Sequence, residues 1–480
     1  MDDAILTFDI GTSSVKAGLF TVPDGHVRWL HREALSTGGQ GAGELIGAGT
    51  VDAPPDAWVV EQWVAAIRST IDQLPDGLRL VGLALSGNGP TVVPVNRDRT
   101  ALTDVLLWHD SRETRVEGAS SFFLPKIRWI ADHRPEVYAR AWMFMTCPEY
   151  LAFLMGSVPH STSPSGAFDP YVWDATGATA YGVDEERLPS LVRPAAEVGR
   201  VTADGANVFG LPVGVPIYAG GPDFLMSLLG TATVTPGTTC DRAGTSEGIN
   251  YCAAEPLTGN AVRCLPHIVP GLWNVAGVLS STGRIFEWFR TISRQRSVGY
   301  ERMLAEIAAA GYEHEPYFFP SMHHGAAWEF SRGMVAGLRS DHGAPQMGRG
   351  VVHAIGYAVR QSIDSLRSVG CEIVELRACG GQAKNAVWNQ MKADITGLPV
   401  VCPEVRDAEL SGSACCVLAG LGYQVDPWDA AARVVRFDER YEPEATAHDR
   451  FSDGYHDYLQ KYRWFLDAMA QIEGSTGRPA

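Results

Sequence analysis

Two short glycine-bearing segments constrain this 480-residue chain more than any other feature: Asp9-Ile10-Gly11-Thr12-Ser13-Ser14 near the start and Arg242-Ala243-Gly244-Thr245-Ser246 in the second half. In the first, residues 4–8 read as a buried strand, 11–14 as a tight turn and 15–20 as a returning strand. Glycine lets the backbone approach an anion with no Cβ in the way, and successive turn N–H groups form a concavity suited to phosphate oxygens. A phosphate bound there would meet a hairpin, with Lys16 adding a point charge. Occurring twice, the pattern points to a nucleotide held by two related lobes.

Composition narrows what such lobes bind. The length predicts two domains of a little over 200 residues each. A formal charge of -16 and a pI near 5.3 argue against a nucleic-acid surface, which needs clustered Lys and Arg. Bound anions must then be held locally, by backbone N–H groups, a few basic side chains and a metal ion. Residues 1–3 run straight into a strand, so no signal peptide is visible, and no apolar run is long enough to span a bilayer. The nine cysteines form no C-x-x-C pair and read as buried reduced thiols of a cytoplasmic protein. A small molecule is the expected partner, with a homodimer left open.

The order of elements carries the fold. Strands at 4–8, 15–20 and 27–31 are followed by a glycine-rich surface loop at 38–49. A helix at 56–74 then carries Trp58, Trp63, Ala66, Ile67 and Ile71 at helical spacing, and a buried strand at 80–85 follows. Strand, strand, strand, helix, strand is the order of an actin-like or ribonuclease-H-like lobe. The second half repeats it less clearly, with strands at 249–252 and 273–278, a helix at 350–369, a strand at 373–378, a helix at 384–396 and a strand at 398–402. The fold class is therefore α/β: two actin-like/ribonuclease-H-like domains, residues 1–235 and 236–480, with an interdomain active-site cleft and a hinge at Thr235-Pro236-Gly237.

Asp223 stands after the apolar run 216–218 and before a helix at 224–230, where it could be a general base or a helix cap. Asp9, at a strand end, could hold Mg²⁺ through water, since Mg²⁺ takes few carboxylates and keeps its waters. Gly380 and Gly381 leave room for a flat ring between a strand and a helix, with Asn385 within reach of it, or they form an ordinary glycine turn. Ser411-Gly412-Ser413-Ala414 opens a small-residue helix suited to close packing. His323-His324 lack matching metal-ligand spacing and read as a surface or cleft-rim loop.

These segments together resemble the FGGY carbohydrate kinases, over nearly the whole chain. Residues 9–16 resemble the first phosphate motif, and Trp108-His109-Asp110-Ser111-Arg112 the Trp-x-Asp-x-Arg segment of the sugar lobe. Residues 125–130, Pro-Lys-Ile-Arg-Trp-Ile, resemble the Lys-Leu-x-Trp signature. Gly221-Pro222-Asp223 lies where these kinases keep their base, and 380–400 resembles the signature lining the adenine pocket.

The resemblance implies an ATP- and Mg²⁺-dependent kinase acting on a ketose or polyol hydroxyl, nearest in pattern to xylulose kinases. Asp223 would be the base and, with Asp9, a metal contact. Gly11, Thr12, Ser13, Lys16, Gly244, Thr245, Gly380, Gly381 and Asn385 would hold ATP, and Asn88, Trp108, Asp110 and Asp223 the sugar. Two departures bear on substrate. Ser86-Gly87-Asn88-Gly89 stands where xylulose kinases show Gln-Met-His-Gly and glycerol kinases Gln-Arg-Glu-Thr. The Thr-Asp segment expected after Leu154-Met155-Gly156 is replaced by His160-Ser161-Thr162-Ser163-Pro164. A ribulose, glycerol or erythritol-type kinase, and a non-catalytic actin-like nucleotide-binding regulator, are the alternatives.

Overall fold

The computed structural model describes residues 2–35, 57–103, 105–310, 315–321, 330 and 333–476. The 38–49 stretch, His323-His324 and the side chain of Trp58 lie outside the described residues. The rest forms two compact units, one of Met1–Val234, Pro266–Leu272 and Asp407–Val435, the other of Thr235–Leu265, Trp273–Arg406 and Arg436–Ala480.

In unit one, β1 (Asp2–Ile10) pairs antiparallel with β2 (Ser14–Thr21), which pairs antiparallel with β3 (Val27–Ala34). Ile5, Leu6, Phe8 and Ile10 of β1 are fully buried, each contributing ~1.5–3 kcal/mol. β3 alternates half-buried and exposed positions, the pattern of a strand with one wet face. α1 (Ala57–Ile71) buries Val60, Trp63, Ile67 and Ile71 at the spacing of one helical face. β4 (Leu78–Gly87) then runs parallel to β1. Beyond α2 (Leu124–His133), α3 (Cys147–Met155), β5 (His160–Thr162) and β6 (Glu197–Arg200), β7 (Pro216–Pro222) joins parallel to β4 and leads into α4 (Asp223–Gly230). The strand order is β3-β2-β1-β4-β7-β6. β7 thus continues through residues 219–222, past the apolar run. Its glycines permit this, for a Cβ on Gly220 would sit 2.3 Å from the Leu85 carbonyl oxygen.

Unit two repeats that topology. β8 (Thr239–Ala243) and β9 (Glu247–Ala253) form a hairpin; after β10 (Arg263–Pro266), β11 (Trp273–Leu279) pairs antiparallel with β9. α5 (Thr282–Ile292) and the long α6 (Ala344–Ser368) precede β12 (Leu376–Cys379), which runs parallel to β8. α7 (Ala386–Thr396) leads to β13 (Val400–Pro403), parallel to β12, and the order is completed as β10-β11-β9-β8-β12-β13 with β14 (Phe437–Tyr441) at the edge. An antiparallel meander flanked by two parallel strands therefore occurs twice, the actin-like, ribonuclease-H-like arrangement expected from the sequence. α7 starts two residues after the predicted 384, because a short 3₁₀ turn at Gln382–Lys384 intervenes before Asn385 caps the helix. The helix α8 (Ala408–Gly420) follows β13 yet belongs to unit one. There it lies against α4 at a distance only glycine allows: a Cβ on Gly230 would fall 1.8 Å from the Ala408 carbonyl oxygen, and one on Gly412 2.0 Å from that of Met226.

Candidate active site

In unit one the register sets Ile10 of β1 opposite Gly87 of β4, and Gly87 opposite Pro222 of β7. Gly11, Asn88 and Asp223 are therefore the first residues beyond the carboxyl ends of three adjacent parallel strands, the edge where open α/β sheets bind ligands. The Gly11 N–H donates to the Ser14 carbonyl at 2.9 Å and closes the turn, leaving Thr12 and Ser13 exposed. Asn88 is buried and its N–H donates to the Ile10 carbonyl at 3.0 Å. Pro222 occupies the N-cap of α4 and makes no side-chain cap bond, so Asp223 opens the helix instead of capping it. The half-exposed Asp223 carboxylate accepts from the Phe224 N–H at 2.7 Å.

The Trp108 indole donates to Thr12 Oγ1 at 2.9 Å, which ties the first turn to the segment carrying Asp110. Both carboxylate oxygens of Asp110 accept from Arg112, at 3.0 and 2.6 Å. Lys126 of α2 fixes the same segment from beneath, donating to the Leu107 and Asp110 carbonyls at 2.5 and 2.7 Å; burial pushes its ammonium down to about 8. Asp9 is buried, accepting from Lys16 Nζ at 3.0 Å and from Ser86 Oγ at 3.1 Å. Lys16 also meets Asp407 at 3.2 Å. Burial alone would lower the Lys16 pKa, but Asp9, Glu409 and Asp407 together raise it well above the ordinary lysine value. The ammonium expected to face phosphate is thus engaged by carboxylates that join β1, β2 and the start of α8.

In unit two the Gly244 N–H donates to the Ser246 carbonyl at 2.9 Å, one residue tighter than the first turn, and Gly244 and Thr245 are exposed. Arg242 stands opposite Cys379, so this turn and Gly380 share the carboxyl edge of two parallel strands. Gly380 has φ +88, and a Cβ there would lie 2.5 Å from the Ala243 carbonyl oxygen; Gly381 opens onto empty space. The Gln382 side-chain amide donates to the Gly244 carbonyl at 3.1 Å and to Thr282 Oγ1 at 3.2 Å, locking the glycine loop to the turn. Asn385 is buried, and its side-chain oxygen accepts from the Trp388 N–H at 3.0 Å, which commits that oxygen to capping α7.

Each predicted residue of the first turn, Asn88 and Asp223 thus converge in unit one, while the second turn, Gly380, Gly381 and Asn385 converge in unit two. The sequence reading quoted Lys126 and Gln382 within motifs without giving either a role, and it passed over Asp407. A lysine facing the apolar side of α2, beside Ile127 and Ile130, was the available sign of the first. Among the described residues no three His, Cys, Asp or Glu side chains gather as a metal-binding group. No helix there is long and apolar enough to cross a membrane.

A duplicated sheet with a glycine turn at the carboxyl edge of each copy defines the actin-like fold class. The chain matches the FGGY family of carbohydrate kinases through the N-terminal domain at residues 112–230 and the C-terminal domain at residues 242–421, and it belongs to that family. It is an ATP-dependent sugar kinase, transferring phosphate to an alcohol group. A xylulose kinase of Staphylococcus epidermidis is 25% identical over 445 residues, covering 86% of this chain and 89% of that one. An autoinducer-2 kinase of Yersinia enterocolitica is 24% identical, with 92% and 90% covered. The structure of a ligand-bound xylulose kinase from Lactobacillus acidophilus superposes with a TM-score of 0.78 at 18% identity, over 99% of this chain and all of that one.

Proposed function

We propose that the protein phosphorylates a ketose or polyol hydroxyl, in the manner of the xylulose kinases it resembles. The observation that carries this reading is the row of Gly11, Asn88 and Asp223 at one strand edge, which sets a phosphate turn, a neutral amide and a carboxylate side by side. Asp223 accepts the proton of the attacking hydroxyl. Asn88, taking the place of the imidazole in the Gln-Met-His-Gly pattern, exchanges hydrogen bonds with a substrate hydroxyl, and the segment of Trp108 and Asp110 walls the sugar. The turns at Thr12 and Thr245 offer backbone donors to the phosphates, and Gly380, Gly381 and Asn385 receive the adenosine. Preorganised donors of this kind stabilise the charge spread over the transferring phosphoryl group, and alignment supplies much of the remaining acceleration.

Asp9 and Asp223 supply oxygen donors alone, from the ends of the two strands that flank β4, a set that suits a hard cation retaining several waters. They would hold Mg²⁺, whose contribution is to neutralise phosphate charge. The similarity to autoinducer-2 kinases supports a small signalling polyol as the second candidate substrate.

The test is ADP release from MgATP across ketoses, aldoses and polyols, with Asp223→Asn alongside. Turnover with one substrate, reduced in the variant by ~10²–10⁴-fold as expected for a lost general base, supports the assignment. Tight ATP binding with no sugar-stimulated turnover would overturn it in favour of a regulator.

A further inference from the structure

Lys392 lies four residues after Trp388 on the inner side of α7 and is 1% exposed. Its ammonium meets carboxylates from both strands that flank the second turn: Asp241 of β8, and Glu247 of β9 at 2.7 Å. Both side chains are wholly buried. One positive charge among two ionised carboxylates would leave a net negative charge in a dry interior, which is costly. Both carboxyls reach the same ammonium. Asp241 Oδ1 and Glu247 Oε2 find no donor in the protein. With one ammonium between two wholly buried carboxyls, a single shared proton makes the group neutral, as in paired carboxylates elsewhere. Of the neighbouring titratable groups, Cys402 of β13 stays neutral, its thiol pushed by burial up to about 12, and the Trp388 ring faces the ammonium at 5.8 Å.

We propose that Asp241 and Glu247 share one proton and form with Lys392 a neutral triad that positions the Gly244-Thr245-Ser246 turn for the phosphates of the nucleotide. This rests on the reading that the turn binds phosphate. The triad touches no substrate. It clamps β8 to β9 at the base of the turn, from the helix that follows the glycine loop after a short 3₁₀ turn, so one set of contacts aligns both loops. Burial and Glu247 raise the Asp241 carboxyl toward neutrality against the pull of Lys392. Loss of the proton at alkaline pH leaves the triad with net negative charge beneath an anion site and loosens the clamp.

Isothermal titration of the full-length protein with ATP, from mildly acidic to mildly alkaline pH, compares the wild type with Asp241→Asn. The variant keeps the shape, supplies a permanent donor to Glu247 and cannot ionise. Wild-type affinity is expected to fall severalfold as pH rises, and the variant to hold the wild type's acid-side affinity throughout. Apart from the band of Glu149, whose carboxyl is also raised by burial, the wild type should show a protonated-carboxyl infrared band that Asp241→Asn lacks. Lys392→Met should raise KM for ATP about tenfold while KM for the sugar stays constant. Nucleotide binding whose pH dependence survives in Asp241→Asn, together with an unchanged infrared spectrum, would overturn the triad alone. Failure of the wild type to bind ATP at all would overturn the phosphate-turn assignment and the triad with it.

Discussion

Glu149 is an acid in a helix whose other residues, Cys147 to Met155, are apolar, aromatic or proline. Burial pushes its carboxyl up to about 7, although Oε1 accepts from the Thr162 N–H at 3.1 Å. The raised folded value means that the acid form is favoured. Its contribution is complete below the unfolded pKa and is lost as pH rises through about 7, where a buried acid must ionise. Glu149→Gln keeps the acceptor and cannot ionise. Between pH ~4.5 and ~7 the wild type should therefore lose up to ~3 kcal/mol relative to the variant. Parallel curves of Tm against pH for the two proteins would refute this. At Gly380 the constraint is steric: alanine would be held at a positive φ against the Ala243 carbonyl, costing ~1–3 kcal/mol. Gly380→Ala should raise KM for ATP and leave KM for the sugar unaltered in steady-state kinetics. A variant in which both change together would show that the strain spreads beyond the second turn.

Among elements, the helix pair α4 and α8 is held by absent side chains. Gly412→Ala places a methyl group 2.0 Å from the Met226 carbonyl, an overpacking that costs ~1–3 kcal/mol or more. Because Asp223 is the first residue of α4, the displaced helix should lower kcat along with Tm; a lowered Tm with unchanged kcat would uncouple the pair from the site. The small residues at 411–414 made close packing legible, since a helix without bulk on one side has few other uses. Which sheet it joins was not legible, because glycine and alanine carry no complementarity that names a partner. Strands β1, β2 and β4 and helix α1 followed from periodicity, and the glycine turns from backbone requirements that hold wherever the chain goes. The ion pairs were a different matter: Lys16 was read toward phosphate and Lys126 and Lys392 were given no partner, because Asp407, the Leu107 carbonyl and Asp241 lie far from them in sequence. Glu149 was passed over as well, although a lone charge in an apolar helix was a sign available in the sequence.

For the whole molecule, the decisive fact is that unit one takes in Asp407–Val435 from far along the chain. A cut near residue 235 separates the two glycine turns neatly in sequence, yet leaves β1, β4 and β7 without the helix that covers them. The fragment 1–235 should accordingly lack a cooperative thermal transition, and adding a peptide of residues 407–435 should restore protection of β1 and β4 amides in hydrogen exchange. Full protection in the fragment alone would show that α8 is dispensable. A chain emerging from the ribosome meets the same constraint in time. Its earliest strands are made long before the helix that seals them, so the first-synthesised unit is the one that must wait, its apolar face in the care of whatever else can cover it until more than four-fifths of the polypeptide exists.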